Sequence, residues 1–175
     1  MADLKLYIPK LWEFEGTVYE NDPVDHGGAT KFGVIVDDLK NLNIDENHDG
    51  IIDWKDIRDL TESDAQSIVK KEYWDVVKAD QIINQSVAEM LADFGFNCGI
   101  KYAAKKIQKI LGLTVDGNVG PKTIQAINSA NQQDLFNKLV AIRKQHYKDI
   151  VSNNPTQNRF MKGWMNRVDY FKFKP

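Results

Sequence analysis

Apolar residues recur at helical spacing through most of the chain, and helices are therefore the predicted elements. Thr61, followed three residues later by Asp64, forms a capping-box start, after which Ala65, Ile68, Val69, Tyr73 and Val76 keep one face apolar. Val87, Leu91 and Phe94 mark a second helix that stops near Gly95 or Gly99. Ala104, Ile107 and Leu111 mark a third, which Gly112 ends. Pro121, after Gly120, opens a short helix carrying Ile124 and Ile127. Leu135, Leu139, Ile142, His146 and Ile150 line a long helix that Pro155 breaks. Phe160, Trp164, Val168 and Phe171 stripe the last one, and these aromatics read as core.

The stretch GTVYENDPVDHGGATKFG, residues 16–33, breaks this pattern. It has no helical period and is rich in turn formers, so it is either a short β-hairpin or an ordered loop. Long irregular loops in compact domains tend to carry function. No Gly/Ser- or Pro-rich linker interrupts the chain, and no internal repeat is visible. The 175 residues, 42% hydrophobic and 27% charged, exclude a disordered chain and suffice for one core or two small lobes. No apolar run is long enough to span a bilayer, and the first residues do not read as a classical signal peptide. Cys98 is the single cysteine, so no internal disulfide forms.

Charge divides the chain. Residues 1–60 carry 14 acidic against 6 basic side chains, and residues 101–175 carry 4 against 14. An acidic front half fits a carboxylate or cation site, and a basic back half fits contact with an anionic polymer; mutual attraction of the halves is the alternative.

Residues 45–56, DENHDGIIDWKD, have the spacing of an EF-hand loop. Asp45, Asn47 and Asp49 take positions one, three and five, and Gly50 takes the tight turn at six. Ile51 offers its carbonyl, Ile52 the apolar anchor, and Asp53 and Asp56 positions nine and twelve. A hard cation needs six to eight oxygens round one point, which this spacing supplies. Asp56 stands where glutamate is usual, and its shorter arm weakens bidentate ligation. A lone loop of this kind is expected to bind calcium as a structural staple.

The first helix ends in LWEFEG. Glu13 and Glu15 point to opposite sides of it, and Glu15 stands at its very end, before Gly16. A carboxylate there opposes the helix dipole, a local conflict of the sort found at functional sites. Trp12, Phe14 and Phe32 offer apolar walls, and Asp22, Asp25 and Thr30 follow. A carboxyl group among apolar walls keeps its proton to higher pH, and such an acid facing a second carboxylate is what glycoside hydrolysis requires.

The run E-G-x-x-Y-x-N-D-P-x-D-x-G-G-A-T-x-x-G, Glu15 to Gly33, resembles the signature of glycoside hydrolase family 108, with one extra residue between Gly16 and Tyr19. DFGFNCG (93–99) resembles the start of that family's C-terminal region, LGLTVDGNVGPKT (111–123) a peptidoglycan-binding segment, and FMKGWMNRV (160–168) its closing motif. The family comprises N-acetylmuramidases, found as phage endolysins and in some bacterial secretion loci. The resemblance implies a mainly α, lysozyme-like fold, with a catalytic lobe at 1–92 holding the calcium loop as an insertion. A helical peptidoglycan-binding lobe at 93–175 packs on it.

By the same resemblance Glu15 is the proton donor. Asp25, with Thr30 as orienting hydroxyl, holds the second role, and Asp22 is the substitute. Inversion or retention depends on the carboxyl separation. The implied function is hydrolysis of the β-1,4 bond between N-acetylmuramic acid and N-acetylglucosamine. A non-catalytic peptidoglycan-binding protein and a lytic transglycosylase are the alternatives. The expected partner is the glycan strand of peptidoglycan, met by a monomer that inserts in no membrane, binds no nucleic acid and needs no organic cofactor. The expected route is synthesis in a bacterial host's cytoplasm and release to the wall by a holin or a dedicated system.

Overall fold

The structure is a computed structural model that describes residues 1–20 and 28–175. It is mainly α with one short antiparallel hairpin, and packing divides it into a front unit, Leu4–Glu72, and a back unit, Met1–Asp3 with Tyr73–Pro175.

In the front unit α1 (Leu4–Glu15) buries Tyr7, Ile8, Leu11 and Trp12, one stripe at helical spacing. β1 (Thr30–Lys31) and β2 (Val34–Ile35) pair antiparallel, Thr30 opposite Ile35 and Lys31 opposite Val34. Phe32 (φ 57°) and Gly33 (φ 71°) make the turn, both left-handed, which is what a two-residue hairpin of native twist demands. The hairpin thus forms at the end of the irregular stretch. α2 (Val36–Leu42), α3 (Trp54–Asp59) and α4 (Glu62–Val69) follow, and Leu39, Ile57, Leu60, Ala65, Ile68 and Val69 are buried. The capping box expected at Thr61 is present: Asp64 N–H donates to Thr61 Oγ1 at 3.3 Å and Thr61 N–H to Asp64 Oδ2 at 3.0 Å.

Beyond Val69 the expected stripe changes phase. Lys70–Trp74 forms a π-helical turn, whose wider i→i+5 spacing advances the buried positions by one residue. Trp74 and Val77 are buried in place of Tyr73 and Val76, and Val76 is 47% exposed.

In the back unit α5 (Gln85–Cys98) is buried from Ser86 to Gly95 and ends at Gly99 (φ 93°). A Cβ on Gly95 would stand 2.4 Å from Ile100 Cδ1, so a larger residue there would make the Ile100 side chain shift at the start of α6 (Ile100–Ile110). Gly112 (φ 67°) ends the α6 segment, and α7 (Pro121–Ser129) starts at Pro121. α8 (Gln132–Asn153) stops before Pro155, as expected, and α9 (Asn158–Tyr170) closes the chain.

Two stripes depart from expectation for one reason. Asp93 is fully buried on α5, and Arg143 of α8 and Arg167 of α9 meet it. Pulling Arg143 inward rotates α8, so its buried face is Leu135, Phe136, Leu139, Arg143 and Tyr147, while Ile142, His146 and Ile150 are half-buried on the flank. On α9 the buried residues are Arg167 and Val168; Trp164 is half-buried and Phe160, expected in the core, is 42% exposed.

Candidate active site

Glu15 is the last residue of α1 and half-buried, whereas Glu13 is exposed on another side. Gly16 takes φ 73°, and its N–H closes the helix on Trp12 O at 3.0 Å. The chain therefore turns away immediately behind the Glu15 carboxyl. One turn back, Trp12 packs on Phe32 with ring centroids 5.1 Å apart, and its Nε1–H donates to Glu62 Oε1 at 3.2 Å. This aromatic contact ties the end of α1 to the hairpin turn. Phe32 accepts its left-handed backbone because its ring is buried there.

Thr30 is held from both sides. It pairs with Ile35 on one edge and forms an antiparallel bridge with Glu20 on the other, with Glu20 N–H to Thr30 O at 2.9 Å and Thr30 N–H to Glu20 O at 2.8 Å. Directly opposed residues on antiparallel strands project to the same face. The exposed side chain of Glu20 therefore shares a face with Thr30, an acidic neighbour that spacing alone does not reveal. Lys31 closes the other side of the hairpin: its Nζ donates to Arg58 O and Leu60 O, both at 2.8 Å. Asp25 and its substitute Asp22 lie outside the described residues.

The acidic loop lies between α2 and α3 and is hydrogen-bonded within itself. Asp45 Oδ2 accepts from Gly50 N at 2.8 Å, Asn47 Oδ1 from Asp49 N at 2.8 Å, and Asp49 Oδ1 from Ile51 N at 2.9 Å. Asp56 is fully buried and spans the loop, accepting from Glu46 N (2.8 Å) and Asn47 N (3.2 Å) on one oxygen and from Asp53 N (2.8 Å) on the other. Lys55 Nζ stands 3.0 Å from Asp49 and 3.6 Å from Asp53, so part of the acidic charge is already balanced. The Lys55 ammonium beside it holds the Asp49 carboxyl below its ordinary value. Asp45 Oδ1 is buried with no hydrogen-bond partner among the described residues. Ile51, the expected carbonyl donor, has an exposed side chain, and His48 faces solvent. Among the described residues no group of three or more His, Cys, Asp or Glu side chains is arranged to hold a metal ion.

The back unit is organised round a carboxylate that sequence reasoning passed over. Asp93 sits 2.7 Å from Arg143 Nη1 and 2.8 Å from Arg167 Nη2, and Arg143 Nε donates to the Tyr147 hydroxyl at 3.1 Å. Burial alone would push the Asp93 carboxyl up; the two guanidinium groups outweigh it and hold the group below its ordinary value. The signal was present as an aspartate inside the apolar run LADFGF, a buried charge that needs a partner.

The family model Glycosyl hydrolase 108 matches residues 8–99. The chain belongs to the glycosyl hydrolase 108 family. A second model, described as a predicted peptidoglycan domain, matches residues 102–169 of this family 108 hydrolase. The fold is similar to the solved structure of Brucella abortus SagA, with a TM-score of 0.79 and 27% identity over 96% of this chain and 90% of that one. No curated protein matches the chain. Glu15, Trp12, Thr30, Phe32 and the acidic loop all fall within the family 108 segment, and the basic half falls largely within the peptidoglycan segment.

Proposed function

We propose that this glycoside hydrolase degrades peptidoglycan, cutting the β-1,4 bond between N-acetylmuramic acid and N-acetylglucosamine. The observation that carries the reading is the placement of Glu15. It is a half-buried carboxyl at the C-terminal end of α1, with the chain turning off at Gly16 and the Trp12–Phe32 contact one turn behind. Glu15 gives its proton to the glycosidic oxygen as the bond to the anomeric carbon breaks. Asp25 is the second carboxylate: it takes a proton from the attacking water, or bonds the sugar itself if the pair stands close enough for retention. Thr30, braced on both strand edges, orients that partner or its water. Residues 101–175 hold the enzyme on the anionic wall.

Calcium in the 45–56 loop belongs to the same proposal as a structural ion with no step in the reaction. The donors at Asp45, Asn47, Asp49, Ile51, Asp53 and Asp56 are all oxygens, which suits a hard cation, and Asp45 Oδ1 lacks any other partner among the described residues. Binding would draw Asp49 and Asp53 away from Lys55. The enzyme is made in the cytoplasm of a bacterial host and reaches the wall by a holin or a dedicated route.

Digestion of purified peptidoglycan followed by mass spectrometry tests the reaction. The expected products are muropeptides with reducing N-acetylmuramic acid ends. Anhydro-muramic ends would assign a lytic transglycosylase, and intact glycan bound to the protein would leave a non-catalytic binder.

A further inference from the structure

The rotation of α8 leaves a cleft on its flank. The lining comes from Lys106, Lys109 and Ile110 of α6 and from Ile142, Gln145, His146 and Asp149 of α8, and the volume is about 360 Å³. The first three are spaced i, i+3, i+4 and the others i, i+3, i+4, i+7, so each wall is one face of one helix. At one end the walls are joined by Tyr102 and His146, whose hydroxyl and Nδ1 lie 2.9 Å apart. A cleft of this size accommodates a small ligand group.

Three chemistries are kept apart in it. Ile110 and Ile142 are half-buried and form the apolar part. Lys106 and Lys109 supply two cations, and neither forms an ion pair among the described residues; Lys106 Nζ rests 4.7 Å from the Tyr102 ring centre. Asp149 on the opposite wall supplies an anion, steadied by Gln145 Nε2 at 2.7 Å. His146 adds no charge at neutral pH, because burial and the Lys106 ammonium hold its imidazole below the ordinary value.

Paired cations facing a carboxylate across an aliphatic strip complement a zwitterionic amino-acid unit. Its carboxylate meets the lysines, its ammonium meets Asp149, and its hydrocarbon chain covers the isoleucines. A neutral glycan offers no ammonium, and a polyphosphate chain would be repelled by Asp149. We propose that this cleft binds the diamino-acid residue of the peptidoglycan stem peptide, so that the back unit reads the peptide of the wall. The proposal rests on the peptidoglycan reading above and adds the ligand class and the residues that take it.

The test uses the full-length protein and, as probe, a glycan-free stem tripeptide ending in diaminopimelate, with binding followed by calorimetry and amide chemical shifts. The expected result is saturable binding with shifts on α6 and α8. Lys106→Glu combined with Lys109→Glu should weaken it at least tenfold. Asp149→Asn should weaken binding of the free-amine peptide but not of its side-chain N-acetylated form. Undiminished binding by both variants, or no tripeptide binding by the wild-type protein, overturns the proposal. Failure of the underlying reading looks different: the tripeptide still binds, but the protein leaves the glycan of purified walls uncut.

Discussion

At the residue scale, Glu15 is set apart from Glu13 by position alone. Both belong to the LWEFE end of α1, yet only Glu15 is half-buried where the helix stops, while Glu13 points into solvent. Glu15→Gln keeps the shape and removes the proton. Wall-lytic activity should fall by two to four orders of magnitude, the usual span of general-acid help, with the melting temperature nearly unchanged. Full lysis by that variant would rule out the donor role, and Glu13→Gln should lose little. Asp25→Asn should cost more activity than Asp22→Asn, since Asp25 keeps its spacing to the Gly-Gly-Ala-Thr run. Glu20→Gln belongs in the same series, because the Glu20–Thr30 bridge puts a third acidic residue on the same face as Thr30. If Glu20→Gln proves the most damaging of the three, the second role passes to it.

Asp93 governs stability at the same scale. Its carboxylate is buried between Arg143 and Arg167, and Asp93→Asn removes the negative charge that these two buried guanidinium groups share. Loss of one partner from a buried ion pair costs about 3–5 kcal/mol. For a chain of this size that is a drop in melting temperature on the order of 10 °C. The pH dependence follows from the direction of the shift. Because the folded protein holds Asp93 below its ordinary value of 3.8, its contribution is fully present above that value. It is lost as the pH falls through the lower, folded value. Thermal melts of the wild-type protein and of Asp93→Asn should therefore differ most at neutral pH and converge in strong acid. A gap that stays constant down to acid would show that the carboxylate charge is not what holds the three helices.

At the element scale, the loop at 45–56 shows how far local spacing carries. Its internal hydrogen bonds close it round Gly50, and Asp56 clamps both ends. Asp45, Asp49, Asp53 and Asp56 crowd like charges that a cation would offset, and Lys55 supplies part of that positive charge from the chain itself. Calcium should therefore stabilise less than an open acidic cage would allow. At a hundredfold excess over its dissociation constant the ceiling is about 2.7 kcal/mol, a rise of several degrees. Chelation should lower the melting temperature, Asp45→Ala with Asp49→Ala should abolish the response, and Lys55→Met should enlarge it. Superimposed melts with and without chelator would mean that the hydrogen bonds and Lys55 close the loop without a metal ion.

Most helices were legible because periodicity and caps are local. Thr61 with Asp64, Gly112, Pro121 and Pro155 each mark an end where the structure has one. The phase of a helix is a tertiary property. The π-turn at Lys70–Trp74 moved burial from Val76 to Val77, and the Asp93 clasp turned Ile142 and His146 out and Arg143 in. An apolar stripe cannot announce that an arginine will displace an isoleucine, because the partner carboxylate lies 50 residues away. The same holds for Glu20, whose position beside Thr30 depends on a strand pairing across the irregular stretch. The exposed ring of Phe160, and the left-handed turn that Phe32 forms over Trp12, belong to the same class of long-range outcome.

At the scale of the whole molecule, the asymmetry of charge bears on the proposed docking to the wall. The acidic residues concentrate in the first 60 positions and the basic ones after residue 100, in the segment that matches the peptidoglycan model. An insoluble anionic wall presents many charges at once, and attraction between exposed charges is screened as the Debye length shrinks from about 10 Å at 0.1 M salt to about 3 Å at 1 M. A short soluble glycan fragment presents few charges to a basic surface. Raising salt from 0.1 M to 1 M should therefore reduce sedimentation of the protein with purified walls, and the rate of wall lysis with it. The rate on short soluble fragments should change little. Charge reversal of Lys138 and Lys148, two exposed lysines of α8 outside the cleft, should reproduce part of the salt effect at 0.1 M and leave fragment hydrolysis intact. If salt instead depresses both rates equally, the charge acts at the reacting carboxylates. The basic half then serves to balance the acidic front rather than to hold the wall.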